Sequence, residues 1–417
     1  MQNNSIYLFE FSNKLNQIFE YLNKNNIKPI VVGGFVRDTI LGVKKSKDID
    51  IEVYGVESFE KLATLLKPFG KSIVVGKSFC VLKLKLEGEE YDFSLPRRES
   101  KVAKGHKGFL VDADATLSFS EAARRRDFTI NAMGWDPKEG CLLDPFGGMA
   151  DIAAKRLHYV DKERFAQDPL RPLRGVVFAA RFCCSFSDEL FNLSAKMLKE
   201  GAFDELSKER VYEELLKLLE AEKPSIALKL LKALGLVGFF KPLSKVDSKE
   251  FDVTCDSLDR LQKHNQYAQT LFFALLVFPA EKQMEFLQNF TAKKKLHKNI
   301  ELTITAYKQL QKLLKSNYKE FEVLEFATMV NIAMVVGFAY SRGEIAQAKL
   351  QSFYALAKKL GVEFSPKKPL VDGKMLVELG LEPSKEFGEL LQKLYAMQLR
   401  GSTKEELVLF ALGNAKV

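Results

Sequence analysis

The residues with the clearest chemical meaning are a glycine pair, an arginine and two aspartates near the N-terminus. Gly33 and Gly34 precede Arg37 in the segment GGFVRD, and Asp48 and Asp50 follow about ten residues further on. Adjacent glycines let the backbone approach a ligand closely and direct N–H groups at phosphate oxygens, with the start of a helix immediately behind them. Arg37 falls in the first turn or so of that helix, where its guanidinium can bind a triphosphate through two hydrogen bonds.

The two aspartates lie in a segment, residues 47–54, in which acidic and apolar residues alternate. This period of two predicts a strand, and positions two apart on a strand share a face. Carboxylates on one face suit Mg²⁺, and two ions about 3.5–4 Å apart can hold both an attacking hydroxyl and a leaving phosphate. A glycine pair alone is usually a tight turn, and alternating acidic residues alone are usually a solvated face. Their order along the chain favours a site for phosphoryl transfer.

The elements that must position this site are predicted to be mixed α/β. Residues 97–117 are rich in Lys, Gly and Asp with little periodicity, so we interpret them as a mobile loop. From Phe119 onward the apolar residues recur at helical spacing, which predicts a small α/β head followed by a long all-α body. The predicted elements of the head are strands over residues 29–32, 47–54, 79–86 and 91–95 and a helix over 35–41 that Gly42 ends.

Length, net charge, cysteine spacing and the lengths of apolar runs limit the classes of protein to which the chain can belong. The chain has 417 residues, 47% of them hydrophobic, which predicts two to four sub-domains, and its net charge of +9 fits either a polyanionic partner or simply a basic protein. The five cysteines show neither metal-site nor disulfide spacing, which is typical of a reducing cytosol. The N-terminus lacks a signal-peptide pattern, and the apolar run at 271–278 is too short to span a membrane. We therefore expect a soluble cytoplasmic protein with no membrane association.

Six segments of the chain resemble, in order, the motifs of one enzyme family. The stretch GGFVRDTILG…KDIDIEVYG resembles the nucleotide-binding motif of the class II nucleotidyltransferases, the CCA-adding enzymes and bacterial poly(A) polymerases. The resemblance implies an α+β fold: a nucleotidyltransferase head with a polymerase-β-like mixed sheet over residues 1–135, an all-α neck over 136–222 that selects the base, a helical body over 223–300 and a helical tail over 301–417 that binds tRNA. The other five segments are RRRDFTINAM at 124–133, LDPFGGMAD at 143–151, DPLRPLRGVVFAARF at 168–182, SKERVYEELLKLL at 207–219 and the tail segment at 373–401.

The same resemblance assigns roles to individual residues. It implies that Asp48 and Asp50 are catalytic ligands of Mg²⁺, and that Asp168 and Arg171 form a protein template whose donors and acceptors imitate a base edge. Arg174, about one turn further on, would face the same pocket. The remaining implied nucleotide-binding residues are Gly33, Gly34, Arg37 and Arg126 for the triphosphate, Asn131 for the ribose, and Asp127 to orient its arginine neighbours.

Several residues leave alternatives open. Asp92 is either a third carboxylate of the metal site or a surface charge of a hairpin, and Glu52 is a weaker candidate on the same strand face. Gln167 stands where many members of the family have Glu, which puts base selection in doubt. None of the histidines is followed by Asp, so we expect none of the phosphohydrolase activity that some relatives carry; they are His106, His158, His264 and His297.

The favoured activity is the addition of C, C and A to the tRNA 3′ end from CTP and ATP, with release of pyrophosphate. A poly(A) polymerase shares every motif above, and a partial enzyme adding only CC or only A is a further alternative. A catalytically inactive RNA-binding module is disfavoured by the intact aspartates. Basic clusters such as residues 293–298 could contact tRNA phosphates or be solvated helix faces. The sequence does not indicate the oligomeric state.

Overall fold

The computed structural model describes residues 9–43, 49–70, 72–75, 81–86, 88–101, 109–236, 238–261, 266–382 and 385–414. Asp48, His106 and His264 lie outside these residues. The chain divides into two compact units, Met1–Gly238 and Phe239–Val417. The finer division into head, neck, body and tail stays a prediction.

A seven-stranded mixed sheet organises the first unit, in the order β3-β4-β5-β2-β1-β8-β9, in which β2 and β5 are parallel and the other pairs antiparallel. This arrangement confirms the predicted α+β class with a mixed sheet. The prediction that the chain is all-helical from Phe119 onward is wrong at 134–136, 141–143, 156–157 and 185–186, where strands of two or three residues are too short to show a period of two. The strands of this sheet are β1 (Lys28–Val32), β2 (Ile49–Tyr54), β3 (Ser72–Val75), β4 (Val81–Leu86), β5 (Glu89–Ser94), β8 (Gly134–Asp136) and β9 (Cys141–Leu143), and the others are β6 (Arg97–Lys101), β7 (Phe109–Ala113), β10 (Arg156–Leu157) and β11 (Ser185–Phe186).

The predicted loop over residues 97–117 is wrong for Arg97–Lys101 and Phe109–Ala113, because β6 and β7 pair there as a separate antiparallel ribbon. Residues 102–108 of the predicted loop lie outside the described residues. Backbone hydrogen bonds hold such a ribbon, and they need no alternation of apolar residues that a sequence pattern would reveal. The pairing brings Lys101 opposite Phe109.

Apolar helix faces pack on the sheet and form the first core. Leu15, Ile18 and Leu22 of α1 are fully buried against Ile51 and Val53 of β2 and their neighbours. A second core around Phe128 and Phe165 joins the helices that follow the sheet. The helices of the first unit are α1 (Asn13–Lys24), α2 (Gly34–Ile40), α3 (Phe59–Leu66), α4 (Phe119–Ala123), α5 (Gly148–Ala153), α6 (Lys162–Ala166), α7 (Arg171–Phe182), α8 (Asp188–Lys199), α9 (Lys208–Lys217) and α10 (Pro224–Ala233).

The described residues of the second unit are helical and contain no strand. Its most apolar helix, α12, is buried along its whole length, which explains the apolar run noted in the sequence. No single helix in the described ranges is long and apolar enough to cross a membrane. Helices α15 (Glu320–Met329) and α16 (Ile332–Arg342) reach such a length and apolar content only when counted together, and the chain bends by 95° between them. The helices are α11 (Ser248–Arg260), α12 (Ala268–Val277), α13 (Gln283–Gln288), α14 (Lys294–Leu313), α15 (Glu320–Met329), α16 (Ile332–Arg342), α17 (Gln347–Lys359), α18 (Gly373–Glu378), α19 (Lys385–Leu399) and α20 (Lys404–Asn414).

Candidate active site

A cavity of about 650 Å³ in the first unit brings the predicted nucleotide-binding residues together. It is lined by residues from the sheet, from the turn after α4 and from α7 and α9. Asp48 lies outside the described residues, and Asp92 is not part of the lining. Glu52, the weaker candidate, is not part of the lining either. The residues with an implied catalytic or nucleotide-binding role that line the cavity are Gly33, Gly34, Arg37, Asp50, Arg126, Asp127, Asn131, Asp168, Arg171 and Arg174.

Gly33 allows the backbone to pass close to the acidic strand. Its φ of 75° lies in the region that favours glycine. A Cβ added there would lie 3.2 Å from Asp50 Oδ2 and 3.4 Å from Arg126 Nη1. The chain turns at Gly33 into helix α2, so backbone N–H groups and these two side chains converge at one place.

Asp50 occupies the centre of three paired strands. It lies opposite Val32, the last residue of β1, and beside Asp92 on the parallel strand β5. Side chains at paired positions of adjacent strands share a face, so the two carboxylates form an oxygen-rich edge of the kind that a hard divalent cation requires. Asp92 Oδ1 also lies 3.3 Å from Lys83 Nζ, an interaction compatible with either of the predicted roles of Asp92.

Arg37 links helix α2 to the helical turn Thr129–Asn131. Its Nε donates to Asp38 Oδ1 at 2.7 Å and its Nη1 donates to Asn131 Oδ1 at 2.6 Å. The side chain is nearly buried, and this burial lowers the pKa of Arg37 although Asp38 opposes the shift. Arg37 therefore lines the cavity and also holds Asn131, another residue of the lining, in place.

Asp127 extends this hydrogen-bonded chain to helix α7. Its Oδ1 accepts from Asn131 Nδ2 at 2.9 Å, and its Oδ2 accepts from Arg174 at 2.9 Å (Nε) and 2.7 Å (Nη2). Burial favours the neutral carboxyl, but the Arg174 charge and the Asn131 hydrogen bond prevail and hold the pKa of Asp127 below its usual value. The arginine that Asp127 orients is thus Arg174.

Two aromatic rings of α7, those of Phe178 and Phe182, pack against guanidinium groups next to this hydrogen-bonded chain. The Arg37 guanidinium lies 5.3 Å from the Phe178 ring centroid and 4.8 Å from that of Phe182. Arg174 lies 5.5 Å from Phe178, and Arg181 lies 5.1 Å from Phe182. Such cation–π contacts are each worth about 0.5–2 kcal/mol, so the rings help to fix the arginines. Phe178 itself lines the cavity.

The two predicted template residues contact different partners. Asp168 Oδ1 accepts from the backbone N–H of Leu170 at 3.0 Å and from Arg210 Nη2 at 3.4 Å. Arg171 Nη2 donates to the backbone carbonyl of Arg125 at 2.7 Å. Arg210 and Arg125 line the cavity and had not been singled out from the sequence, although both lie within the motifs at 207–219 and 124–133.

Glu52 forms an ion pair with Arg125, a residue of the cavity lining. Its fully buried carboxylate accepts from Arg125 Nη2 at 2.8 Å and from the Tyr54 hydroxyl at 2.8 Å. Burial acts to raise the pKa of Glu52, but Arg125 and Arg126 lower it more, so the carboxylate stays ionised. The metal role of Glu52 stays a prediction, and the structure shows that its carboxylate joins β2 to Arg125.

The described histidines make local contacts. His158 Nδ1 lies 2.8 Å from Ser187 Oγ, and His297 Nε2 lies 2.9 Å from the Thr291 carbonyl. Within the described ranges, no group of three or more His, Cys, Asp or Glu side chains is arranged as a metal site. The carboxylate edge at Asp50 and Asp92 involves only two such side chains.

Two segments of the chain match models of known protein families. Residues 30–158 match the family model "Poly A polymerase head domain", and residues 202–246 match "Probable RNA and SrmB- binding site of polymerase A". The "Multifunctional CCA protein" of Neisseria gonorrhoeae is 39% identical over 212 residues, which are 51% of this chain and 49% of the relative. The chain thus spans about half the length of the curated relatives it matches.

Solved structures share the fold over nearly the whole chain. The CCA-adding enzyme of Bacillus stearothermophilus in complex with CTP superposes with a TM-score of 0.73 at 20% identity, covering 97% of this chain and 98% of the other. The Thermotoga maritima CCA-adding enzyme complexed with tRNA gives a TM-score of 0.69 at 22% identity, covering 99% and 98%. Residues 30–158 are thus similar to a poly(A) polymerase head domain, and the chain as a whole shares the fold of these solved structures.

Proposed function

We propose that the chain is a CCA-adding enzyme, a nucleotidyltransferase that joins C, C and A from CTP and ATP to the tRNA 3′ end and releases pyrophosphate. The observation that carries the proposal is the single cavity in which the acidic strand, the glycine turn and the arginines of α7 meet. The names of the relatives support it, since they are CCA proteins and CCA-adding enzymes bound to CTP or tRNA. With tRNA as partner, the cytoplasm is the expected compartment.

Mg²⁺ is the proposed cofactor, with Asp48 and Asp50 as its ligands and Asp92 as a third candidate. The carboxylate edge formed by Asp50 and Asp92 fits a hard cation. When bound there, the metal would neutralise charge on the triphosphate and on the attacking 3′-hydroxyl. Catalysis in such a site is mainly positioning and charge neutralisation.

The remaining residues would bind and orient the nucleotide. The backbone at Gly33 and Gly34 and the guanidinium of Arg126 would hold the triphosphate beside Asp50, because all four line the same cavity wall. The RNA 3′-hydroxyl then attacks the α-phosphate in line, and pyrophosphate leaves. Asn131, bonded to both Arg37 and Asp127, would meet the ribose.

Base selection is assigned to Asp168 and Arg171, with Arg174 beside them. A carboxylate accepts and a guanidinium donates, so together they can match the edge of either C or A. Both side chains line the cavity and contact neighbouring protein groups, which a bound base would replace in part.

The test is nucleotide incorporation into tRNA that lacks its 3′ end, offered CTP, ATP, UTP or GTP singly and in mixtures, with sequencing of the products. We expect C, C and A and then arrest. Extension of an unstructured RNA with many adenylates, without use of CTP, would instead identify a poly(A) polymerase. Addition of CC alone or A alone would identify a partial enzyme.

A further inference from the structure

The second unit contains a separate cavity of about 450 Å³, a volume within the range of small-ligand sites. Its walls come from α12, α16, α17 and the segment after α17. Among the described residues that line it, none is charged and four are aromatic. The aromatic residues are Tyr267, Tyr340, Tyr354 and Phe364, and three glutamine amides lie among them, Gln266, Gln347 and Gln351.

Two of the rings that line the cavity expose much of their surface. Tyr340 is 42% exposed and Phe364 is 54% exposed. Exposed aromatic surface around a concavity marks a binding site more often than a packing defect. Rings supply flat faces for stacking, and amides supply both donors and acceptors, so the matching ligand is planar, neutral and has a hydrogen-bonding edge.

The walls of this cavity are held in place by hydrogen bonds. Asn331 Nδ2 donates to the Tyr267 hydroxyl at 2.8 Å and to the Phe364 carbonyl at 2.9 Å, which ties two aromatic walls together. The backbone N–H of Ala333 donates to the Glu363 carbonyl at 2.9 Å, fixing the same segment. A site preformed in this way loses less conformational entropy when it binds a ligand.

We propose that this cavity binds an unpaired base of the RNA substrate, an inference that rests on the proposed function. Unstacked RNA bases are commonly held on aromatic side chains, and the backbone phosphates are held outside by cations. The Lys358 ammonium lies 4.7 Å from the Tyr354 ring centroid on an exposed part of α17, where it can meet a phosphate. The uncharged lining disfavours a free nucleoside triphosphate, whose charge would need cations within the site.

The test compares tRNA binding by the full-length protein and by the double variant Tyr340→Leu/Phe364→Leu. Leucine keeps an apolar side chain but removes the stacking face, and both positions are exposed enough to tolerate it. We expect the Kd for tRNA lacking its 3′ end to rise on the order of ten- to a hundred-fold, with kcat at saturating tRNA unchanged. Ile73→Ala, which removes an apolar side chain at a 48% exposed position of β3, outside the predicted tRNA-binding tail, is the control and should bind as wild type.

Two further measurements distinguish a loss of base binding from misfolding of the double variant. Tyr354→Phe keeps the ring and should bind tRNA like wild type, and photocrosslinking with 4-thiouridine-substituted tRNA should label peptides containing Tyr340 or Phe364. Unchanged tRNA affinity in the double variant, without crosslinks at this cavity, would overturn the inference even if CCA addition is normal. Tight binding of free adenosine or cytidine that tRNA does not displace would also overturn it. Absence of nucleotide addition by the wild type would count against the proposed function alone.

Discussion

Replacement of Gly33 by alanine tests the convergence of backbone, Asp50 and Arg126 at the cavity. At φ 75° and ψ −139°, alanine adopts a conformation that L-residues avoid, at a cost on the order of 1–3 kcal/mol. For a unit of this size each kcal/mol lowers Tm by about 2–4 °C, so we expect a fall of roughly 2–12 °C. The same Cβ would lie 3.2 Å from Asp50 Oδ2, which forces the carboxylate to shift.

This shift should cost activity beyond the loss of stability. A catalytic group misplaced by about 1 Å can lose roughly a hundred-fold in rate, so a displacement of a few tenths of an ångström predicts a fall in kcat/KM of roughly three- to ten-fold. The assay is single-nucleotide incorporation of CTP into tRNA lacking its 3′ end. It should be run well below the Tm of the variant, with the folded fraction checked by circular dichroism.

Gly147→Ala provides the matched control. Gly147 also precedes a helix with positive φ, 74°, but an added Cβ there meets nothing within 4 Å. We expect a stability cost of about 1–2 kcal/mol with wild-type kcat/KM. If the two variants show the same kcat/KM, the close approach at Gly33 has no catalytic role and the reasoning is refuted.

Further predictions follow from the same geometry. Asp50→Ala and Asp48→Ala should abolish incorporation but leave tRNA binding largely intact; near-normal turnover of either variant in Mg²⁺ would contradict the metal assignment. Phe178→Leu removes cation–π contacts worth about 0.5–2 kcal/mol and should raise misincorporation of UTP or GTP, measured by product sequencing; unchanged fidelity would exclude this positioning role. The pKa of Asp127 is lowered, so its stabilising effect is complete above about pH 4 and is lost as pH falls further. The Tm of Asp127→Asn should therefore depend less on pH than that of wild type between pH 6 and 3, and parallel curves would be inconsistent with a persistent ion pair. Affinity for tRNA should fall steeply with salt because counterions are released; a flat dependence would indicate mainly apolar contacts.

The parts of the site that residue patterns alone predict are those encoded by neighbouring residues. The resemblance to a known family supplied the more distant residues of the cavity, which are Arg126, Asp127, Asn131, Asp168, Arg171 and Arg174. The strand carrying Asp50 and the turn at Gly33 follow from local periodicity and from glycine's conformational freedom. The ribbon of β6 and β7 was missed because pairing depends on two segments together. Arg210 and Phe178 were missed for the same reason, since their roles arise from Asp168 and from arginines far away in sequence.

Two ion pairs of the cavity differ in strength, and the difference indicates which arginine stays bound to its aspartate and which one can be replaced by a ligand. Asp127 accepts from Arg174 at 2.7 Å and 2.9 Å, with the carboxylate 10% and the arginine 32% exposed, and hydrogen bonds between charged groups are worth about 1.5–3 kcal/mol. Asp168 and Arg210 meet at 3.4 Å with both side chains more than 20% exposed, and pairs of that kind are worth about 0–1 kcal/mol. An incoming base can therefore displace Arg210 from Asp168 at a lower cost than Arg174 from Asp127. We infer that the carboxylate of Asp168 changes partner between C and A while Arg174 stays fixed as a reference for the base position.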